Sequence, residues 1–171
     1  DILDLSKIES GYISVDYNPI SFAEISQFVE STFNPISEAK HLRFNISMDE
    51  KLPEFVETDS QRLNQILKNL LSNSFKFTEK GQVQLKIYKA NNNWKTANAS
   101  LENAEAVVAF EISDTGIGIS KEKQNLIFEA FEQAEGSTSR KYGGTGLGLS
   151  ISRGLSDLLG GSIELESETN V

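Results

Sequence analysis

The chain has 171 residues, 38% of them hydrophobic and 24% charged, with a formal net charge of −9; that length and balance suit one globular domain with a real core, and the negative charge argues against sequence-independent binding to nucleic acid. No cysteine is present, which excludes disulfides, thiolate zinc sites and a cysteine nucleophile. No apolar run approaches the ~20 residues of a membrane span and no signal peptide opens the chain, so the expected compartment for this segment is the cytoplasm, without direct membrane contact.

In chain order, "DILDLSKIESG" reads as the last turns of a helix: Ile2, Leu5 and Ile8 recur every three residues and Gly11 is a stop. A chain starting in mid-helix looks excised from something longer. "YISVDYN" alternates and predicts a short strand. "SFAEISQFVESTFNPISEAK" predicts an amphipathic helix opened by a Ser21–Glu24 capping box, kinked or divided at Pro35. "LRFNISM" predicts a strand. A strong helix follows over 59–77, then strands at "QVQLKIY" and "AVVAFEISD" with a polar surface insertion, "KANNNWKTANASLENAE", between them. Further helices are predicted at about 121–131 and 147–159, and "SIELES" closes as a strand. The mixed order implies an α/β or α+β sandwich.

The 59–77 helix carries two stripes. At ~100° per residue, Leu63, Ile66, Leu67, Leu70 and Leu71 share one face, while Arg62, Gln65, Asn69, Asn73 and Lys76 share another beside it. Asparagine is a mediocre helix former, so two of them at i, i+4 need a reason. Either they bridge local backbone, or they form a polar wall facing a ligand, with amide oxygens for a metal and Lys76 for phosphate.

"EISDTGIGIS" places Asp114 at a strand end, with Gly116 and Gly118 around Ile117. A carboxylate there can accept from the exocyclic amine of a planar ring while glycines let backbone approach; the alternative is a plain Asp-Thr-Gly turn. In "IFEAFEQAEGSTSRKY", Ile127, Phe128 and Phe131 can anchor a polar segment that carries Arg140 and Lys141. "RKYGGTGLGLS" then packs Gly143, Gly144, Gly146 and Gly148 before a helix starting near Leu147. It lacks the P-loop spacing and follows no apolar strand, which rules out a dinucleotide fingerprint. Glycines feeding a helix N-terminus suit a hinge and phosphate cradle, reached from a lid over 132–146 that orders partly on binding.

These motifs, taken together, resemble the catalytic ATP-binding domain of sensor histidine kinases, within the gyrase, Hsp90, histidine kinase and MutL superfamily. "NLLSNSFKFT" is similar to its asparagine box, "DTGIGI" and "GGTGLGL" to its two glycine boxes, and "FEAFEQ" to its phenylalanine box. "RKYGGTGLGLSIS" looks most like hybrid sensor kinases. The resemblance implies a two-layer α/β sandwich of the Bergerat type, with a mixed, mostly antiparallel sheet and helices on one face. Residues 1–11 would be the end of a dimerisation helix and its linker, and 12–171 the catalytic domain without its final strand. ATP and Mg²⁺ are the implied cofactors. Asn73 would give an oxygen to Mg²⁺, Asn69 would line the phosphate end and Lys76 would contact phosphate. Asp114 would receive the adenine amine, framed by Gly116 and Gly118. Ile119, Phe131, Thr145 and Leu147 complete the implied nucleotide pocket, with Arg140 and Lys141 as lid cations and Gly144, Gly146 and Gly148 as the phosphate-side loop. Asn69, Lys76 and Arg140 are the implied catalytic residues.

Hydrolysing branches of the superfamily carry a glutamate where this chain has Asn69, and a neutral amide cannot activate water. The resemblance therefore favours transfer of the γ-phosphoryl group to a histidine outside this chain. The implied partners are the chain's own dimerisation and phosphoacceptor domain and a response-regulator receiver, in a homodimeric parent whose membrane anchorage is left open. His41, in "KHLRFNIS", has no acid or proline after it and reads as an exposed loop histidine. Two other functions compete with the kinase: a nucleotide-binding regulatory module without turnover, and an ATP-driven conformational clamp.

Overall fold

A computed structural model describes residues 2–90, 101, 104–129 and 146–169. The elements in order are α1 (Ile2–Glu9), β1 (Asn18–Ser21), α2 (Phe22–Lys40), β2 (Arg43–Met48), β3 (Phe55–Thr58), α3 (Ser60–Phe77), β4 (Gln82–Lys89), β5 (Val108–Asp114), a single 3-10 turn (Leu126–Phe128) and α4 (Gly148–Leu158).

Local chemistry starts the two long helices where the sequence says it should. Ser21 Oγ accepts from the Glu24 amide while the Glu24 carboxylate accepts from the Ser21 amide at 2.9 Å, a reciprocal cap on α2. Asp59 caps α3, its Oδ1 accepting from the amides of Gln61 and Arg62 at 3.0 and 3.1 Å. Helix α2 is not divided at Pro35, one of the two outcomes expected there. Pro35 deprives the Ser31 carbonyl of its helical donor, but both residues lie on the exposed face, where water can replace it, while Phe33 and Ser37 hold the other face in the core.

Strand β4 is central in a three-stranded sheet, parallel to β2 and antiparallel to β5. Val83, Leu85 and Ile87 point to one face and are buried; Gln84, Lys86 and Tyr88 alternate onto the other. Helices α2 and α3 cover the buried face, with Phe22, Ile25, Val29 and Phe33 meeting Leu63, Leu67, Leu71 and Phe75. The rings of Phe33, Phe44 and Phe75 lock α2, β2 and α3 together, with centroids 5.2 to 6.4 Å apart. A second core joins α3 to α4 through Ile66, Leu147, Ile151 and Leu155, with Leu70 and Ile8 packed on its rim. The apolar stripe of α3 is broad because the helix is packed from two sides: Leu63, Leu67 and Leu71 toward the sheet, Ile66 and Leu70 toward α4.

The result is a mixed α/β sandwich with helices on one sheet face, as expected, but several elements differ. The strand expected at "YISVDYN" begins only at Asn18, where it pairs antiparallel with β3 in a separate two-stranded ribbon. Residues 12–17 find no ladder; the Asp16 amide is tied to Asp59 Oδ2 instead, at 3.1 Å, and Tyr12 and Tyr17 are exposed. Strand β3, "FVET", went unpredicted because four residues give almost no periodicity. The helix expected over 121–131 is, as far as residue 129, a run of turns and the 3-10 turn that buries Ile127. "SIELES" alternates like a strand yet joins no ladder, since β5 exchanges its backbone bonds with β4 alone among the described residues. It is held through Ser167, as described below.

Candidate functional site

A cleft of about 1770 Å³ opens between α3, the C-terminal end of β5 and residues 159–169. Its apolar side runs past Leu63, Leu67, Val108 and Phe110. Polar groups gather at the other end, from Asn73, Lys76 and Asp114, beside Gly116, Gly118, Gly146 and Gly148. That end is the candidate site.

The two asparagines of α3 have separate fates. Asn69 spends its amide nitrogen on α4, donating to the Gly148 carbonyl at 3.2 Å and to Ser152 Oγ at 3.3 Å. Asn73, one turn on, lines the cleft half-buried and makes no hydrogen bond among the described residues. Asn69 does not bridge local backbone, since its partners belong to a distant helix, and the Asn73 side chain lines the cleft without a hydrogen bond among the described residues. Lys76 lines the same cleft, its ammonium 5.0 Å from the Phe77 ring centroid.

Asp114 ends β5 with an exposed carboxylate. Its Oδ1 accepts from the Gly116 amide at 2.9 Å and from the Thr78 hydroxyl at 3.4 Å, leaving Oδ2 without a donor among the described residues. Thr78 is fully buried at the C-cap of α3. Lys40, in the last turn of α2, donates to the carbonyls of Phe75 and Thr78 and so satisfies acceptors at the end of α3. Three elements thus converge to hold one oxygen of Asp114 and free the other.

The glycines of "DTGIGI" serve the protein's own backbone. A Cβ on Gly116 would lie 2.7 Å from the Phe77 carbonyl oxygen; one on Gly118, whose φ is +68°, would run into the Glu168 carbonyl. Both are required before any ligand arrives. Ile119 donates its amide to Ser167 Oγ at 2.9 Å, and the Gln124 side chain bridges the carbonyls of Ile119 and Ser167 at 2.9 and 2.8 Å. Gln124 and Ser167 therefore hold the "SIELES" segment against the glycine turn.

Gly146 has a φ of +71° and lines the cleft with Gly148, the first residue of α4. Leu147 between them buries its side chain in the second core, turned away from the expected nucleotide pocket. Phe128 is capped by the Arg153 guanidinium, 5.4 Å from its ring centroid. Phe131, Arg140, Lys141, Gly144 and Thr145, and the expected lid apart from Gly146, lie outside the described residues. His41 is exposed at the C-cap of α2 with a φ of +54°.

Thr78, Ser152, Lys40 and Gln124 were not legible as site residues. Each acts through a partner distant in sequence, and a single hydroxyl, ammonium or amide leaves no periodic signal. The one available trace was that Ser152 lies four residues after Gly148.

The profile of the family described as histidine kinase-, DNA gyrase B- and HSP90-like ATPase matches residues 58–171. The chain belongs to this family. Within the ATPase family, curated relatives include hybrid signal transduction histidine kinase L of Dictyostelium discoideum, 44% identical over 174 residues, and the autoinducer 2 sensor kinase/phosphatase LuxQ of Vibrio parahaemolyticus, 42% identical over 175. Each alignment covers 98% of this chain but only 9% and 19% of those proteins, so the chain spans less than a fifth of either. Among solved structures, full-length ShkA in complex with AMPPNP superposes with a TM-score of 0.72 at 28% identity, over 93% of this chain and 30% of that one. The Acinetobacter baumannii histidine kinase AdeS shares the fold, with a TM-score of 0.69 at 21% identity over 98% and 69%.

The donor set fits a magnesium nucleotide. No group of three or more His, Cys, Asp or Glu side chains capable of holding a metal occurs among the described residues. Any ion here would rest on an amide oxygen, phosphates and water, the arrangement Mg²⁺ favours because it dehydrates reluctantly. The Asn73 side chain could offer such an oxygen, and Asp114 Oδ2 has no donor among the described residues. No helix among the described residues is long and apolar enough to cross a membrane.

Proposed function

We propose that this chain binds MgATP and transfers its γ-phosphoryl group to a histidine on a phosphoacceptor domain outside the chain, as the catalytic domain of a sensor kinase. The observation that carries this reading is the pairing, across one cleft, of an unspent amide on α3 with a half-spent carboxylate on β5. Asp114 Oδ2 would accept the adenine amine, Asn73 would give an oxygen to Mg²⁺, and Lys76 would neutralise phosphate charge. Mg²⁺ would supply neutralisation of the phosphate charge there. Phosphoryl transfer asks for little more than such placement and neutralisation. Arg140 and Lys141 are assigned as lid cations from the family resemblance.

Asn69 directs the outcome. Its amide carries no base, so water in the site is not activated, and a better nucleophile from a partner domain is favoured. Residues 1–11 are assigned from the family resemblance as the end of the dimerisation helix and its linker; within this chain Ile8 of α1 packs beside α4. The receiver of a response regulator takes the phosphoryl group next, the parent is a homodimer, and this segment of it faces the cytoplasm.

The test combines this chain, a purified dimerisation and phosphoacceptor domain, and γ-labelled ATP. Label is expected on a histidine of the acceptor domain and should vanish with Asn73→Ala. Release of free phosphate without labelled protein would indicate a conformational clamp, and nucleotide binding with neither outcome a regulatory module.

A further inference from the structure

Asp114 is held from the interior of the protein as well as from its own turn. The bond from the Gly116 amide to Oδ1, at 2.9 Å, is one that an Asp-Thr-Gly turn makes by itself. The Thr78 hydroxyl comes from another element, the C-cap of α3, and meets the same oxygen at 3.4 Å. A carboxylate oxygen accepts, so the threonine donates its single proton there. Hydroxyls on helices ordinarily turn back on a carbonyl three or four residues earlier, as those of Ser31, Thr32 and Ser37 do on α2. Thr78 does not. Its backbone amide takes the Ser74 carbonyl at 3.1 Å, and its hydroxyl has Asp114, 36 residues on, as its one partner among the described residues.

Both sides of this bond are anchored. Lys40 donates to the Thr78 carbonyl at 3.3 Å. On the β5 side, the Thr115 amide donates to the Gln82 carbonyl at 3.1 Å and the Thr115 hydroxyl accepts from the Gln82 amide at 3.0 Å, which stitches the strand end to the turn after α3. We propose that Thr78 is a positioning residue for base recognition: by holding Oδ1 together with the Gly116 amide, it stops the Asp114 carboxylate from turning about its own bond, so that Oδ2 is the oxygen offered to the exocyclic amine of adenine. This rests on the nucleotide reading above. Thr78 is 0% exposed and does not line the cleft, whereas Asp114 does, so the threonine reaches a ligand only through the carboxylate. Its effect therefore appears in the preference for a purine that carries the amine over one that lacks it, and not at the phosphate end.

Calorimetry with ATP and with purine riboside triphosphate, which lacks the amine and puts no acceptor in its place, gives the test. The parent chain should favour ATP by roughly tenfold or more, the worth of a hydrogen bond to a charged group. Thr78→Val should cut that preference about fivefold, the worth of one further hydrogen bond, and leave the affinity for purine riboside triphosphate unchanged. Thr78→Ser, which keeps the hydroxyl, should restore the preference. In an Asp114→Ala background, Thr78→Val should have no further effect on it. Thermal unfolding shows whether each variant is folded; if Thr78→Val is not, Thr78→Cys, whose thiol is a weak donor, takes its place. Equal losses for the two triphosphates, which is what a merely structural threonine gives, an unchanged preference, or a further loss of preference in the Asp114→Ala background would each overturn the proposal. A parent chain that prefers ATP, with Thr78→Val indistinguishable from it, removes this inference alone; a parent chain that binds no ATP, or binds both triphosphates equally, removes the base assignment on which it rests.

Discussion

At the scale of single residues, two carboxylates with contrasting surroundings make opposite kinds of prediction. Asp114 keeps Oδ2 free because Gly116 and Thr78 both bond Oδ1. Guanine presents a carbonyl where adenine presents its amine, so two acceptors would face each other. GTP should bind more weakly than ATP by about 1–3 kcal/mol, and equal heats and affinities for the two in a calorimeter would refute the assignment. Asp59 has no free oxygen. Burial works to raise its pKa, but the amides of Asp16, Arg62 and Gln61 and the Arg62 guanidinium outweigh it and hold the carboxyl below its ordinary value. A depressed folded pKa means stabilisation that is complete above the unfolded value, near about 3.9, and lost as pH falls through the folded one. Urea midpoints should therefore drop in that acid range, and the drop should be shallower in Asp59→Asn, which keeps a cap without a titrating group.

At the scale of elements, the glycines separate protein needs from ligand needs. Because Gly116 approaches the Phe77 carbonyl and Gly118 the Glu168 carbonyl, Gly116→Ala and Gly118→Ala should lower the melting temperature of the nucleotide-free chain. For Gly118 the left-handed backbone adds a cost of roughly 1–3 kcal/mol. Unchanged melting with weakened ATP binding would mean that the glycines serve the ligand alone. Gly154, inside α4, has a different reason to lack a side chain: a Cβ there would lie 2.8 Å from Ile8 Cγ2 of α1. Glycine in a helix interior costs about 1 kcal/mol against alanine, a cost offset here by the fit of α1. The sign of Gly154→Ala should therefore depend on Ile8. In the Ile8→Ala background it should stabilise the chain, whereas in the parent it should loosen α1 and expose it to protease. A stabilisation of the same size in both would disconnect the two helices.

At the scale of the whole molecule, the ring cluster of Phe33, Phe44 and Phe75 joins α2, β2 and α3; Phe75→Ala should cost about 3–5 kcal/mol in urea unfolding, and a cost below ~1 kcal/mol would show that this core relaxes around the void. Such packing is what the amino-acid pattern announces best. The capped helices α2 and α3, the leucine stripe and strands β2, β4 and β5 were legible because their causes lie within a turn or a strand: a hydroxyl three residues from a glutamate, a period of 3.6 or of 2. The family, too, was legible, in four motifs that keep their order. Pairing was not. "YISVDYN" and "SIELES" alternate as β4 does, yet neither forms the strand its alternation predicts, because a ladder needs a partner strand and alternation specifies only a face. The unbroken passage of α2 through Pro35 depended on which face met water. The site divides the same way. The sequence by itself determined a polar stripe on α3 and an aspartate at a strand end, and the family resemblance implied that the two share a site. Only the tertiary structure decided that the Asn69 nitrogen is consumed by a helix 79 residues on while Asn73, one turn away, is left to the cleft. A hydrogen bond between distant residues depends on where two elements come to rest against each other, and that placement follows from the summed packing of both cores.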